Sequence, residues 1–381
     1  LTQVSAPTDA ELAFRRAVDL QPDLAHAHFA LGLLLMGHQR EVDAASYFRR
    51  TLELMPDNAD AAVCLGQACY VTGDYAGALA AFERAASLGA MPDGARRNLN
   101  RARAFCAMLE GRIEEALDRG ARAGEDPEAL LYEAFSLFSA HGHIDAAIRI
   151  GRLRLSRKPD DPVRAYLLEV LSGQSHLAAP VEYLESYFDD FAPTFEDKLV
   201  NVLGYQVPER LAALAAPHLR GRAKAIDLGC GTGLAAPWLK PLVTCLIGVD
   251  VASGMLGQAR RGGCYDDLIK AEGVLHLAGQ PSSCELIFAA DMLVYLGPLE
   301  VLFVAAWNAL RPDGLFCFSI ETSTDQGHTL LPSGRFAHAP DYVRSLARSR
   351  FEVLEDQAHV IRLELRSPVN GQLFVMRRSP Q

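Results

Sequence analysis

None of the eight cysteines in this 381-residue chain stands in a C-x-x-C pair, and most lie inside apolar runs. That spacing offers neither a zinc site nor a redox dithiol, so no metal is expected and the thiols read as reduced core residues of a cytoplasmic protein. A basic stripe is also lacking. The 37 Lys+Arg are outnumbered by 47 Asp+Glu, a formal charge of -10. The excess is even, with 19 basic and 24 acidic side chains in residues 1–180 and 18 and 23 in the remainder. Neither nucleic acid nor an anionic membrane suits such a surface as the main partner. The opening "LTQVSAPTDAE" has no basic start and no apolar core, so no signal peptide is visible. The most apolar long stretch, around 286–310, is broken by Asp291, Pro298 and Glu300, too interrupted for a membrane span. Disorder is equally unsupported. Half of the chain is hydrophobic and 22% charged, enough for two or three packed domains.

What is present first is repetition. "ALGLLLMGHQREVDAASYFRRTLELMP" (30–56) and "CLGQACYVTGDYAGALAAFERAASLGA" (64–90) align with a step of 34 residues: Leu31-Gly32 on Leu65-Gly66, Ala44 on Ala78, Phe48 on Phe82. One step earlier lie Ala10 and Phe14, with Pro22 preceding Pro56. Small residues let the two helices of a hairpin approach, and an aromatic fills the gap to the next hairpin. The pattern resembles the tetratricopeptide repeat. Beyond residue 90 the period fails, through an insertion near "MPDGARR", but the Gly-x-x-x-x-Ala turn persists at Gly111–Ala116 and Gly142–Ala147. Four hairpins with a half repeat in front are expected. The "HGH" at 141–143 falls in a repeat turn and reads as incidental.

After "KPDDP" the repeats stop. Residues 163–220 read as helical, with Tyr187, Phe188, Phe191 and Phe195 at mixed i+3/i+4 spacing. These aromatics are either core packing or a lid. From 223 onward short apolar runs alternate with helical stretches: "AKAIDL", "TCLIGVD", "DDLIKAE", "CELIFAAD" and "LFCFSIE" as strands, "LAAPWLKPL", "SGMLGQARR" and "PLEVLFVAAWNAL" as helices. Such alternation marks a parallel sheet covered on both faces. Two further long strands, joined by a turn at "SPVNG", close the chain.

"AIDLGCGTG" ends the first strand, where doubly wound sheets bind ligands and where glycines let backbone pass beneath them. The dinucleotide spacing G-x-G-x-x-G is not met, because Leu234 stands where the third glycine is needed. Asp227 would also repel a pyrophosphate and suits a cationic ligand. Asp250 ends the second strand, 21 residues after Gly229, where a carboxylate accepts both hydroxyls of a ribose.

Taken together, "AIDLGCGTG", "GVDVASGML", "LIFAADMLVYLG" and "LRPDGLF" resemble the class I S-adenosylmethionine-dependent methyltransferases. With the repeats in front, and with "YFDDFAPTFEDKL", "YDDL" and "GRFAHAPDYV", the chain is similar over almost its whole length to bacterial methyltransferases that carry tetratricopeptide repeats. The resemblance implies an α plus α/β protein. All-α repeats over 1–162 and a helical linker and lid over 163–220 precede a Rossmann-like, doubly wound, seven-stranded domain over 221–381. It implies S-adenosylmethionine as cofactor and S-adenosylhomocysteine as product. Asp227 and the backbone of Gly229, Cys230, Gly231 and Gly233 would hold the methionine part, and Asp250 the ribose. Val251 and Met255 would lie against the adenine and Glu272, where relatives more often have Asp, near its amino group. Asp291 and Met292 would border the sulfonium, with Tyr187 and Phe191 closing the site from above.

Methyl transfer from a sulfonium is an in-line displacement that needs orientation, exclusion of water, and a base only when the nucleophile must lose a proton. Tyr295, Glu321 and His338 are the candidate catalytic residues. His338 is either a base or a structural residue. Tyr205 and Arg335 are candidates for binding the acceptor, Arg335 through a carboxylate or phosphate unless it is a surface ion pair. Cys230 has no base beside it and reads as a small residue of the loop. The expected reaction is methylation of a small molecule at oxygen, nitrogen or carbon, with the repeats organising substrate access or self-association. The alternatives are a protein, peptide or carrier-bound substrate docked by the repeats, or a repeat scaffold with a non-catalytic cofactor-binding domain.

Overall fold

The computed structural model describes residues 9–89, 91–197, 199, 204–221, 223–364 and 367–380. The chain divides into two compact units, Leu1–Ser156 and Arg157–Gln381. The segment 163–220 thus falls inside the second unit.

In the first unit the helix Asp9–Leu20 precedes four hairpins. They pair Ala25–Gly37 with Glu41–Leu54, Ala59–Val71 with Tyr75–Ser87, Asp93–Leu109 with Ile113–Arg122, and Pro127–Ala140 with Ile144–Arg157. Each hairpin turns on one left-handed residue: Gln39 (φ 60), Gly73 (φ 82), Gly111 (φ 86) and Gly142 (φ 78). Glycine adopts that conformation without steric cost. Contrary to the expectation, the hairpins keep beginning 34 residues apart, at Ala25, Ala59, Asp93 and Pro127; only the turn and second helix slip out of step, because Asp93–Leu109 has 17 residues where the corresponding helices before it have 13.

The aromatic of the repeat packs differently from the expectation. A Cβ on Gly32 would stand 2.6 Å from Phe48, and one on Gly66 2.6 Å from Phe82. Each phenylalanine therefore fills the hollow left by the glycine of its own hairpin. Farther on, Tyr70 and Tyr75 pack on Phe105, and Phe105 and Tyr75 on Phe138. The Tyr70 hydroxyl donates to Glu133 at 3.0 Å, so the second and fourth hairpins meet across the third. The "HGH" turn belongs to this seam. His141 Nδ1 lies 3.0 Å from the Tyr75 hydroxyl and His143 Nε2 3.3 Å from the Gly73 carbonyl.

The second unit is built on one sheet: β1 (Lys224–Leu228), β2 (Cys245–Asp250), β3 (Asp267–Lys270), β4 (Cys284–Ala289), β5 (Leu310–Thr322), β6 (His328–Leu330), β7 (Phe336–His338), β8 (Phe351–Glu364) and β9 (Ser367–Arg378). The first five are parallel, in the order β3-β2-β1-β4-β5. β9 runs antiparallel on β5, and β8 antiparallel on β9. Both faces are covered. Ile226, Leu228, Ile287 and Phe318 pack with Phe303 of the helix Glu300–Ala309 on one side. Ala225, Leu286 and Phe288 pack with Leu211 of the helix Val207–Ala215 on the other.

Three details depart from the expected pattern. The seven expected strands are joined by the short hairpin β6–β7, whose second strand pairs parallel with the end of β5 at Glu321 and Thr322. Ser367 pairs with Glu364, so "SPVNG" lies within β9, and the connection falls at 365–366, outside the described residues. The helix after the glycine loop is the single turn Ala236–Leu239, because Pro237 and Pro241 cannot continue a longer one.

The glycine contacts predict a contrast. Gly66→Ala should cost about 1–3 kcal/mol, since a methyl group would have to displace the fully buried Phe82. Gly94→Ala, at an open position of the helix Asp93–Leu109, should be neutral or stabilise by about 0.4–1 kcal/mol. Urea unfolding of both variants measures the difference.

Candidate active site

The carboxyl ends of β1, β2 and β4 open on a cavity of about 320 Å³. Its floor is the loop after β1. Gly229, Gly231 and Gly233 have φ of 65°, 55° and 99°, a left-handed region closed to most other residues. The loop is held by β2: Gly229 N–H donates to the Val249 carbonyl at 2.8 Å, and Gly231 N–H to Asp250 Oδ2 at 2.9 Å. Asp250 Oδ1 accepts from Ala252 N–H at 2.8 Å. Burial raises the Asp250 pKa, against the lowering effect of these amides.

Asp227 is buried, and its Oδ2 accepts the Tyr265 hydroxyl at 2.6 Å. Room for that ring comes from Gly248, where a Cβ would stand 2.8 Å from Cys230 Sγ and 3.0 Å from Tyr265. Burial, reinforced by the nearby Asp250 charge, pushes the Asp227 carboxyl up to about 7 although the Tyr265 bond opposes the shift. Tyr265 had no assigned role in the sequence. Its signal is position alone, two residues before β3.

The roof is the helix Val181–Phe191. Tyr187, Phe188 and Phe191 line the cavity with Phe195, and Phe188 meets Tyr295 edge-on at 5.6 Å. This roof is fastened at both ends. Ala179 N–H donates to the Tyr295 carbonyl at 2.9 Å and Gly297 N–H to the Leu177 carbonyl at 2.8 Å. At the far side Asp189 accepts Gly254 N–H at 2.6 Å, and Glu185 meets Lys270 at 3.0 Å. Lining the cavity too are Val251, Met255, Glu272, Asp291, Met292, Tyr205, Tyr295, Arg335 and Arg362. Glu272 is already engaged, capping the helix Gly273–Ala278 through Val274 N–H (3.0 Å) and Leu275 N–H (2.6 Å). Asp291 stands at φ 58 after β4, its N–H on Ser319 Oγ at 2.8 Å and its Oδ1 buried without a hydrogen bond.

Two candidate catalytic residues are placed elsewhere. His338 lies on β7, fully buried, with Nε2 at 2.9 Å from the Leu296 carbonyl and 3.0 Å from that of Gly297. Burial drives its pKa down to about 4. It is absent from the cavity wall and ties β7 to the strap after β4, which is structural work. Glu321 is buried against Arg362, close enough for a charge-assisted hydrogen bond, and faces a separate hollow of about 560 Å³ with Glu364. Burial raises its pKa while Arg362 opposes the shift. A carboxylate so committed cannot also take a substrate proton at the cavity. Tyr295 stays in the wall, its phenol pushed up to about 12 by burial, against the pull of Arg335. Arg362, which sequence reasoning passed over, joins Glu321 to Asp291, the latter at 3.5 Å. Among the described residues no group of three or more His, Cys, Asp or Glu is placed to hold a metal ion. No helix there is long and apolar enough to cross a membrane.

The sheet is doubly wound, with a glycine loop after β1 and buried acidic residues at or next to the ends of β1 and β2, where such sheets take ligands. Comparison with known proteins gives two domain matches. Residues 226–318 match the family described as a methyltransferase domain, and 5–57 and 43–95 the tetratricopeptide repeat. The chain carries a methyltransferase domain behind tetratricopeptide repeats. Over 107 residues it is 31% identical to the Saccharomyces cerevisiae protein described as "Probable S-adenosylmethionine-dependent methyltransferase CRG1", spanning 26% of this chain and 36% of that protein. Over 122 residues it is 30% identical to the malonyl-(acyl-carrier protein) O-methyltransferase of Geobacter sulfurreducens, spanning 30% of this chain and 45% of that one. The chain therefore spans less than half the length of either relative. Among solved structures, a Burkholderia thailandensis 1,6-didemethyltoxoflavin-N1-methyltransferase shares 20% identity at a TM-score of 0.42, covering 54% of this chain and 93% of that one.

The elevated Asp227 pKa has a measurable sign. A cationic ligand is attracted only by the ionised carboxylate, so S-adenosylmethionine should bind more tightly at pH 8 than at pH 6, with a loss of up to roughly tenfold per unit below the pKa. In the ligand-free protein the same raised pKa contributes stability at low pH that disappears as pH rises through about 7. Calorimetry at pH 6, 7 and 8 reads the first effect, and Asp227→Asn should flatten it.

Proposed function

We propose that the protein transfers the methyl group of S-adenosylmethionine to a small-molecule acceptor inside this cavity. The carrying observation is the joint placement of the glycine loop, Asp227 and Asp250 beneath a roof of aromatic side chains. The site suits the cofactor. A Cβ on Gly231 would point into space with Phe195 3.9 Å away, so the loop leaves room for a ligand's backbone-like portion. Each Asp250 oxygen has a lone pair left for a ribose hydroxyl after holding one amide. Asp227 supplies negative charge for the ammonium of the methionine part. Val251 and Met255 offer an apolar wall for adenine, and Glu272, whose carboxylate caps a helix, keeps acceptor capacity for the adenine amino group.

The bound cofactor supplies an electrophilic methyl whose carbon–sulfur bonding pair returns to sulfur when the acceptor's lone pair attacks. The residues do the rest. Tyr187, Phe188 and Phe191 exclude water, Met292 packs against the loop at Gly229, and Tyr205 and Tyr295 bring hydroxyls to the acceptor end. The unpartnered Asp291 Oδ1 can accept a proton-bearing group of the acceptor and orient its lone pair.

The repeats organise substrate access or self-association in this proposal. Its support is the even charge of residues 1–180, 19 basic against 24 acidic side chains, with no basic stripe to mark a separate ligand.

Two measurements test the reading. The wild type should bind S-adenosylhomocysteine and not a nicotinamide dinucleotide. Asp250→Ala, which removes hydrogen bonds worth about 1.5–3 kcal/mol each, should weaken that binding at least tenfold; unchanged affinity would place the ribose elsewhere. A chain beginning at residue 157 should keep cofactor binding and lose turnover, and full turnover by that chain would remove the repeats from substrate access.

A further inference from the structure

The end of the cavity away from the glycine loop carries an arginine whose carboxylate partner is exposed and shared. Six charged residues line the cavity among those described: Asp227, Asp250, Glu272, Asp291, Arg335 and Arg362. All six meet groups of the protein, but unequally. Asp227 holds Tyr265, Asp250 the loop amides and Glu272 a helix end. Arg362, only 4% exposed, lies between Glu321 and Asp291. Arg335 is different. The carboxylate it reaches among the described residues is Glu364, through one 3.3 Å contact, and that side chain is 47% exposed and faces the neighbouring hollow. Glu364 is moreover shared with Arg362, also at 3.3 Å. A guanidinium has five N–H donors in a rigid fork, so donors remain beyond those spent on Glu364 and the neighbouring Tyr295 hydroxyl.

The placement of Arg335 is built. It stands at the start of the strand-to-strand return of the added hairpin, where Leu331 N–H donates to its carbonyl at 2.8 Å and Gly334 N–H to the Leu331 carbonyl at 2.9 Å. Gly334 has φ 80, and a Cβ there would meet Tyr166 at 2.9 Å. The Tyr166 hydroxyl donates to the Gly334 carbonyl at 2.9 Å, and its ring packs on Tyr183 at 4.5 Å in the roof helix. A buried tyrosine thus clamps the residue next to Arg335 to the roof. The groups that bear on Arg335 most are Tyr295, Glu364, Glu321 and Asp291, which gather at the β5–β7 end rather than at the glycine loop.

We propose that the methyl acceptor is a small organic acid whose carboxylate docks on Arg335, beside the Tyr295 hydroxyl. The inference rests on the methyltransferase reading above and names its substrate class. One guanidinium with donors to spare matches the single charge and planar fork of a carboxylate. A phosphate dianion would call for a second free cation, and Arg362 is already neutralised. The mostly apolar and aromatic wall selects a hydrophobic body on that acid.

The full-length protein saturated with S-adenosylhomocysteine is titrated with matched probes: aryl and alkyl monocarboxylic acids, their primary amides, the corresponding amines and the corresponding phosphate monoesters. The acids should bind about tenfold or more tightly than their amides, as expected for a charge-assisted pair. In Arg335→Met this preference should shrink to less than about twofold, with S-adenosylhomocysteine affinity and melting temperature nearly unchanged, and Arg335→Lys should retain part of it. Equal binding of acids and amides by the wild type, preference for amines or phosphate esters, or binding of no probe would overturn the proposal. So would a preference for acids that survives Arg335→Met. A drop of tenfold or more in S-adenosylhomocysteine affinity in Arg335→Met would also overturn it, assigning the arginine to the cofactor's own carboxylate. Failure of the wild type to bind S-adenosylhomocysteine sinks the methyltransferase reading itself, and is read before any probe is added.

Discussion

The carboxylate of Asp250 is the hinge of the site. It ends β2, and its two oxygens accept the amides of Gly231 and Ala252. The first bond reaches across to the neighbouring strand's loop and sets the path of residues 229–233. The second shapes the turn into the next helix. A charged acceptor satisfies two buried amides that would otherwise lose their water without replacement, a cost of about 1–3 kcal/mol each. The same geometry points the remaining lone pairs at the cavity. In the proposed reading structural and binding roles are thus carried by one side chain, so a variant at 250 needs a folding control.

Around that centre the cavity is defined by what is tied down. The roof helix is bridged to the strap after β4 at one end and to the helix Ser253–Gly262 at the other, and it contributes its aromatic rings from a fixed position. His338 ties the added hairpin to the same strap through two carbonyls. These bonds join segments more than 40 residues apart and leave Tyr295 and Arg335 side by side at the end of the cavity away from the glycine loop. Preorganisation of this kind lowers the entropy cost of holding an acceptor in line with a methyl group.

Charge is sorted along the cavity. Two buried carboxylates, Asp227 and Asp250, lie under the loop, where burial pushes both pKa values upward and a nearby cation would pull them back down. The opposite end holds both arginines. Arg362 is neutralised by its buried partners, whereas Arg335 keeps a weak, partly solvated one. A ligand with a positive centre near the loop and an acceptor with negative charge at the far end would be held by complementary fields.

Much of this was legible in the sequence where the signal is local. The glycines after β1, Asp227 and Asp250 occupy strand ends, and strand ends can be read from apolar runs. The repeats announce themselves by a 34-residue step, because each hairpin must place its glycine and phenylalanine at the same height to stack. The hairpin β6–β7 was not legible. Its strands have three residues each, too short for a periodic pattern, and they exist because the end of β5 offers an unpaired edge. Nor could the sequence tell that His338 is sealed away, that Glu321 belongs to Arg362, 41 residues distant, or that Tyr265 reaches Asp227 across 38 residues. The sequence by itself determined the two kinds of domain and the residues that gather at the loop end of the cavity, since backbone conformation and burial pattern are written residue by residue. Only the tertiary structure decided which titratable groups are spent on one another and which remain for a ligand, because pairing depends on distances between strands that no spacing along the chain records.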